Sequence, residues 1–258
     1  MPDWNAERYH HISSPQQAWG RRVLERLPLR GHEIVLDLGC GTGRITSEIA
    51  ARLPDGRVVG LDRSETMLCT ARPWLRERAP AASLVLGDGA ALPFRRAFDA
   101  VFSGATFHWI HDHGALFRSI VTALKPGGRL VAQCGGAGNL ATLAGRAARL
   151  REEPRFAPYF EEWTDPAYYS DPASAARRMG AAGFVDVEAS LEAAPTAFDS
   201  PVEFSDFIAN VCVRHHVARL PPRERHAFLR ELTVAAAADT PPLTLDYWRL
   251  NLSGRRPA

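Results

Sequence analysis

Three glycines at alternate positions, Gly39, Gly41 and Gly43, follow an acid, Asp37, in the run Val35-Leu36-Asp37-Leu38-Gly39-Cys40-Gly41-Thr42-Gly43-Arg44. Glycines so placed let a backbone turn tightly and approach a ligand closely. The apolar run from Ile34 to Leu38 reads as a strand covered on both faces. A helix from about Ile45 would then aim its first amides at the ligand. Such a turn suits a nucleotide-like cofactor. The dinucleotide fingerprint G-x-G-x-x-G is incomplete, because Arg44 stands at the third glycine position. A carboxylate beside the turn suits a cationic head group better than a pyrophosphate.

Further acids follow at strand–helix spacing. Val58-Val59-Gly60-Leu61-Asp62 reads as a second strand ending in an acid 23 positions after Gly39, where a carboxylate can reach ribose hydroxyls. Leu86-Gly87-Asp88-Gly89-Ala90 follows a third short apolar run, and Phe98 to Ala105 reads as a fourth strand. Lys125-Pro126-Gly127-Gly128 forms a tight turn into a fifth, with proline fixing one φ and glycine freeing the next. This ordered set resembles the class I S-adenosylmethionine-dependent methyltransferases. The resemblance implies S-adenosylmethionine as cofactor, surrounded by Asp37, Gly39, Cys40, Gly41, Asp62, Arg63, Asp88, Gly89 and Ser103. Asp37 would support the glycine turn, Asp88 would meet the adenine amino group, and Ser103 to Ala105 would face the reacting methyl. It also implies an α/β fold: a Rossmann-like seven-stranded mixed sheet with helices on both faces and a helical cap over the substrate site.

The start, Asp3-Trp4-Asn5-Ala6-Glu7-Arg8-Tyr9, and the segment Phe107-His108-Trp109-Ile110 are similar to a narrower group. It contains the trans-aconitate methyltransferases and related small-acid O-methyltransferases. That resemblance places Tyr9 over the sulfonium, and Gln16 (with Gln17 as a one-residue register alternative) and the Trp109 indole as donors to a substrate carboxylate. A carboxylate nucleophile is already ionised at pH 7 and needs no base; alignment and exclusion of water suffice. The histidines keep a second reading open. On the first reading His108 joins Tyr9, Gln16 and Trp109 in holding and orienting the acceptor; as general base it would instead serve a hydroxyl, carbon or nitrogen acceptor. A metal site from His108, His111 and His113 is disfavoured, because His111-Asp112-His113 precedes a helix that calls for capping residues. No metal is expected. An NAD-dependent oxidoreductase and a non-catalytic cofactor-binding protein are the competing classes. Arg44 and Asp37 speak against the first, and the aromatic cluster after residue 155 speaks against the second.

Positioning these residues takes most of the 258-residue chain. A net charge of +2 with scattered arginines argues against nucleic acid as a partner. No run reaches the 18–20 or so apolar residues of a membrane span. Cys40, Cys69, Cys134 and Cys212 form no C-x-x-C pair, which suits a reducing cytoplasm. The expected organisation is an N-terminal helical segment over the active site (1–30), the cofactor half of the sheet (31–135), and cap helices with closing strands (136–258). Within it, Pro73 should bend or end the helix capped by Ser64. One helix is expected over Val202 to Arg214 and one closing strand over Leu243 to Leu252. Phe156, Tyr159, Phe160, Trp163, Tyr168 and Tyr169 read as one aromatic cluster. The expected partner is a small-molecule acceptor, and the oligomeric state is not legible.

Overall fold

A computed structural model describes Ala6 and residues 14–258, with the side chains of 14–16 excepted. Its contacts divide the chain into two compact units. The larger holds Ser13–Ala137, Ala167–Glu192 and Arg249–Ala258, and the smaller includes Gly138–Pro166 and Ala193–Trp248.

The larger unit is a sheet of seven strands with helices on both faces. In chain order its elements are α1 (Ser14–Glu25), β1 (Ile34–Leu38), α2 (Arg44–Ala51), β2 (Arg57–Asp62), α3 (Glu65–Arg78), β3 (Ser83–Leu86), β4 (Phe98–Gly104), α4 (His113–Ala123) and β5 (Leu124–Gly135). The strand order is β3-β2-β1-β4-β5-β9-β6, where β6 is Val185–Ala193, preceded by helix α6 (Pro172–Ala181), and β9 is Trp248–Arg255. β1 pairs in parallel with both β2 and β4, while β9 runs antiparallel to β5. The order therefore reverses between β1 and β4, the place where open α/β sheets bind ligands at the carboxyl ends of their strands.

Side-chain alternation splits the core in two. Val35, Val58, Ala100 and Phe102 pack with Val23 and Leu24 of α1, Leu27 just beyond it and Ile49 of α2. Leu36, Leu38, Leu61, Val101 and Leu130 point the other way, into Leu116, Phe117 and Ile120 of α4. Strands buried on both faces explain the near-continuous apolar runs in the sequence. The Pro126-Gly127-Gly128 turn is accommodated inside β5 as an irregularity. Leu124 pairs with Phe98 and Arg129 with Ala100, with Gly127 at φ 73° between them.

Three expectations are corrected. Ser64 caps α3 by accepting from the Met67 amide, but the helix runs through Pro73 to Arg78. Pro73 is exposed, and the opposite face is anchored by Met67, Leu68, Ala71 and Leu75. The helix expected over Val202 to Arg214 breaks into α7 (Pro201–Phe207), a π-turn (Ile208–Cys212) and α8 (Arg214–Val217). Asn210 donates its side-chain amide to the Asp206 carbonyl at 2.8 Å, competing with the helical ladder there. The closing strand is two: β8 (Thr244–Leu245), paired with β7 (Thr196–Ala197), and β9. Asp246 interrupts them, its carboxylate accepting from both Thr142 N–H and Thr142 Oγ1.

The smaller unit is mostly helical: α5 (Ala141–Glu152), α7, α8 and α9 (Pro222–Ala237), plus the β7–β8 pair. Phe156, Phe160, Trp163 and Phe228 form its aromatic core, while Tyr168 and Tyr169 fall in the larger unit. Among the described residues no helix is long and apolar enough to cross a membrane.

Candidate active site

The chain leaves β1 through Gly39, Gly41 and Gly43 at φ 78°, 54° and 79°, a region that side chains rarely adopt. Gly39 is constrained twice, because a Cβ there would also collide with the Thr106 side chain. Gly39 and Cys40 donate their amides to the Leu61 carbonyl at 2.7 and 3.1 Å. Gly41 N–H donates to Asp62 Oδ2 at 2.8 Å and Ser64 N–H to Oδ1 at 2.9 Å. One carboxylate thus ties the glycine turn to the start of α3. A Cβ on Gly41 would meet nothing within 4 Å, so that flank of the turn is open.

Asp37 shares the face of Val35 and points at α2, where Thr46 Oγ1 donates to it at 2.6 Å. It is 2% exposed. Burial pushes its pKa up to about 7; the Thr46 bond opposes this, and the nearby Asp62 charge adds to it. Asp62 is raised as well, chiefly by burial, against the amides of Ser64, Gly41 and Arg63. Burial also pushes the Cys40 thiol well above its ordinary value, which makes it a small packed residue rather than a nucleophile. Two acids that disfavour each other's ionisation, beside an open turn, fit a ligand that brings positive charge. Asp88 is exposed and caps the 3-10 turn Gly89–Ala91 through the Ala90 amide at 2.9 Å. Gly89 is buried against Leu38 and Ile110, and Arg63 is exposed. Ser103 is buried, and its hydroxyl donates to the Leu38 carbonyl at 2.7 Å, so that group is engaged within the sheet.

Across β4 and β5 the chemistry changes. The chain leaves β4 through Ala105, at φ 57°, and Thr106, and enters a 3-10 turn, Phe107–Trp109. His108 in that turn is 8% exposed. Its Nδ1 accepts from the Gly135 amide at 3.3 Å. A neutral imidazole whose Nδ1 accepts carries its proton on Nε2, so this ring presents a donor. Burial, helped by the Arg249 and His113 charges, depresses its pKa to about 3. The ring stacks on Tyr169 with centroids 5.8 Å apart, and the half-buried Trp109 lies beside it. His113 differs: its Nε2 donates to the Phe107 carbonyl at 3.0 Å, so it braces the same turn.

A buried polar network that sequence reasoning missed backs this turn. Arg249 pairs with Gly135 across β5 and β9, is 3% exposed, and lies over the Trp19 ring at 4.5 Å. Its Nε donates to Gln133 Oε1 at 3.4 Å. Gln133 Nε2 and Arg26 Nη1 both donate to Asn251 Oδ1, at 2.8 and 2.7 Å, and Asn251 Nδ2 donates to Glu192. Thr46 and Thr106 were also missed, and no motif marks any of these residues. Tyr9 and the Gln16 side chain lie outside the described residues. Gln17 is described, and its amide is engaged with Glu48 and Arg44. Among the described residues no group of three or more metal-ligating side chains occurs.

Comparisons with known proteins agree with this geometry. A family model described as a methyltransferase domain matches residues 35–128. A trans-aconitate 2-methyltransferase of Methylobacterium radiotolerans is 30% identical over 252 residues, covering 94% of this chain and 92% of that protein. The crystal structure of a putative methyltransferase from Bacillus halodurans C-125 superposes with a TM-score of 0.65 at 17% identity, covering 93% of this chain and 99% of that one. The phosphoethanolamine N-methyltransferase 2 of Haemonchus contortus, solved with S-adenosyl-L-methionine, gives a TM-score of 0.61 at 20% identity, covering 93% of this chain and 53% of that one.

Proposed function

The chain belongs to the class I S-adenosylmethionine-dependent methyltransferases, and from that premise we propose that its acceptor is a carboxylate oxygen of a small molecule. Bound S-adenosylmethionine supplies an electrophilic methyl group on a cationic sulfur. Asp62 takes the ribose hydroxyls while holding the Gly41 amide in place. Asp88, Gly89 and Ala90 flank the adenine. Asp37, at the centre of the acidic turn, ionises more readily once a cation is beside it.

The observation that carries the acceptor assignment is the hydrogen-bonding state of His108. With Nδ1 filled by the Gly135 amide and its pKa near 3, the ring is a neutral donor at Nε2. A donor orients an anion; it does not remove a proton from a hydroxyl. A carboxylate acceptor needs no proton removed. His108 Nε2 and Trp109 would then orient the acceptor oxygen toward the methyl group, with exclusion of water supplying the rest. The likeness to the trans-aconitate 2-methyltransferase of Methylobacterium radiotolerans supports the same reading.

The test uses S-adenosylmethionine labelled in its methyl group, the purified protein and a bacterial metabolite extract. Label released as methanol by mild alkali is the expected outcome, because methyl esters saponify. Label that survives alkali as an ether, amine or carbon-methyl product overturns the carboxylate assignment.

A further inference from the structure

The smaller unit holds a cluster that methyl transfer as described above does not use. Arg151, near the end of α5, donates Nη1 to Nε2 of His216 at 2.8 Å. A guanidinium only donates, so Nε2 of His216 accepts and the neutral ring carries its proton on Nδ1. Burial and the Arg151 charge hold His216 neutral, with a pKa depressed to about 3. That Nδ1 is buried and has no hydrogen-bond partner among the described residues, and the residue as a whole is 8% exposed. Trp163 lies against His216 with ring centroids 4.3 Å apart, and its indole Nε1 is likewise buried without a partner. Two adjacent rings therefore each carry an N–H that finds no acceptor, a rare condition in a folded chain.

The Arg151 and Arg219 guanidinium carbons lie 5.1 and 5.4 Å from the Trp163 ring centre. Asp165 is close enough to favour the charged form of Arg151, yet it leaves both ring donors unmet. Glu224 is taken by Arg155, and Asp239 by Arg146. A neutral carbonyl would satisfy the N–H groups but gain little from the Arg151 and Arg219 guanidinium groups beside the Trp163 ring, even with Asp165 and Glu152 near Arg151. An oxyanion satisfies both.

We propose that Trp163, His216, Arg151 and Arg219 form a subsite for an oxyanion: a carboxylate or phosphate group of a small molecule. It stands independently of the acceptor assignment, because none of its residues belongs to the glycine turn or the His108 turn.

The test is a titration of the cofactor-free, 15N-labelled full chain with tricarballylate and, separately, with inorganic phosphate, followed at the indole N–H resonances. Trp163→Phe assigns the resonance by deleting it and keeps an aromatic plane. We expect a saturable shift of the Trp163 signal with at least one probe; which probe does so separates a carboxylate from a phosphate ligand. Calorimetry should show that affinity at least about tenfold weaker in Arg151→Gln. His108→Ala should leave the Trp163 shift in place, separating this subsite from binding at the sheet. A Trp163 signal unmoved by both probes at tens of millimolar overturns the proposal. So does a shift that persists at unchanged affinity in Arg151→Gln with the thermal midpoint preserved.

Discussion

The two halves of one sheet edge carry opposite chemistry. At the ends of β1 and β2, Asp37 and Asp62 are buried carboxylates whose pKa values are raised. At the ends of β4, β5 and β9, a neutral His108 and a buried Arg249 offer donors. The first half is built to gain from a cation, the second from an anion. A methyl donor with a cationic sulfur and the proposed carboxylate acceptor are a pair that such an edge would align. The contrast is electrostatic, and the acidic half is the one held away from its ordinary ionisation.

The largest effect should come from cutting the acidic half at its junction. Asp62→Ala removes the acceptor for the Gly41 and Ser64 amides, and with it the proposed ribose contact. Bonds to charged groups are worth roughly 1.5–3 kcal/mol each. Affinity for S-adenosylhomocysteine, read by calorimetry, should fall by about a hundredfold or more. Gly39→Ala should destabilise the fold by a few kcal/mol through strain at positive φ and the Thr106 clash, seen as a lowered thermal midpoint.

Asp37→Asn sharpens the comparison through pH. The folded pKa of Asp37 lies near 7 against 3.8 for the ordinary group. The folded protein therefore holds a proton that the unfolded chain has lost, and stability of the cofactor-free enzyme falls as pH rises from about 4 to 7. The shift corresponds to at most roughly 4 kcal/mol. Asn should abolish that slope and make the cofactor-free enzyme more stable than the wild type at pH 8. The same variant should bind S-adenosylmethionine about tenfold or more weakly at pH 8 and lose the wild type's gain in affinity above pH 7. As the smallest effect, Asp186→Asn at the exposed Arg255–Asp186 pair, 57% and 68% exposed, should change stability by less than about 0.5 kcal/mol in denaturant melts, since it touches neither half.

The two halves also differed in how far they could be read from sequence. The acidic half lies in two contiguous strand-to-turn segments, so glycine spacing and strand-end acids revealed Asp37, Gly39, Gly41 and Asp62 directly. Thr46 and Thr106 escaped because each acts through one hydrogen bond or one steric contact that no spacing encodes. In the other half, Gln133 meets Arg249 and Asn251 across 116 and 118 positions. Such a pairing is created by the antiparallel register of β5 and β9, and strand periodicity alone does not fix register. His108 was legible as an orienting group or a base, but the choice between the two was not. Whether it donates or accepts is set by the Gly135 amide on another strand. The broken helix at Asn210 and the split at Asp246 escaped for a similar reason, because side-chain bonds to backbone overrode apolar periodicity.

The pH dependence of turnover, taken at saturating and at limiting S-adenosylmethionine with an acceptor identified by the alkali test, probes the contrast between the halves most directly. kcat/KM for the cofactor should rise through about pH 7 as Asp37 ionises. With both substrates saturating, kcat should stay flat from pH 6 to 9, because His108 does not titrate there. A limb near pH 6 to 7 in the saturated profile that disappears in His108→Asn would contradict it and make His108 a general base.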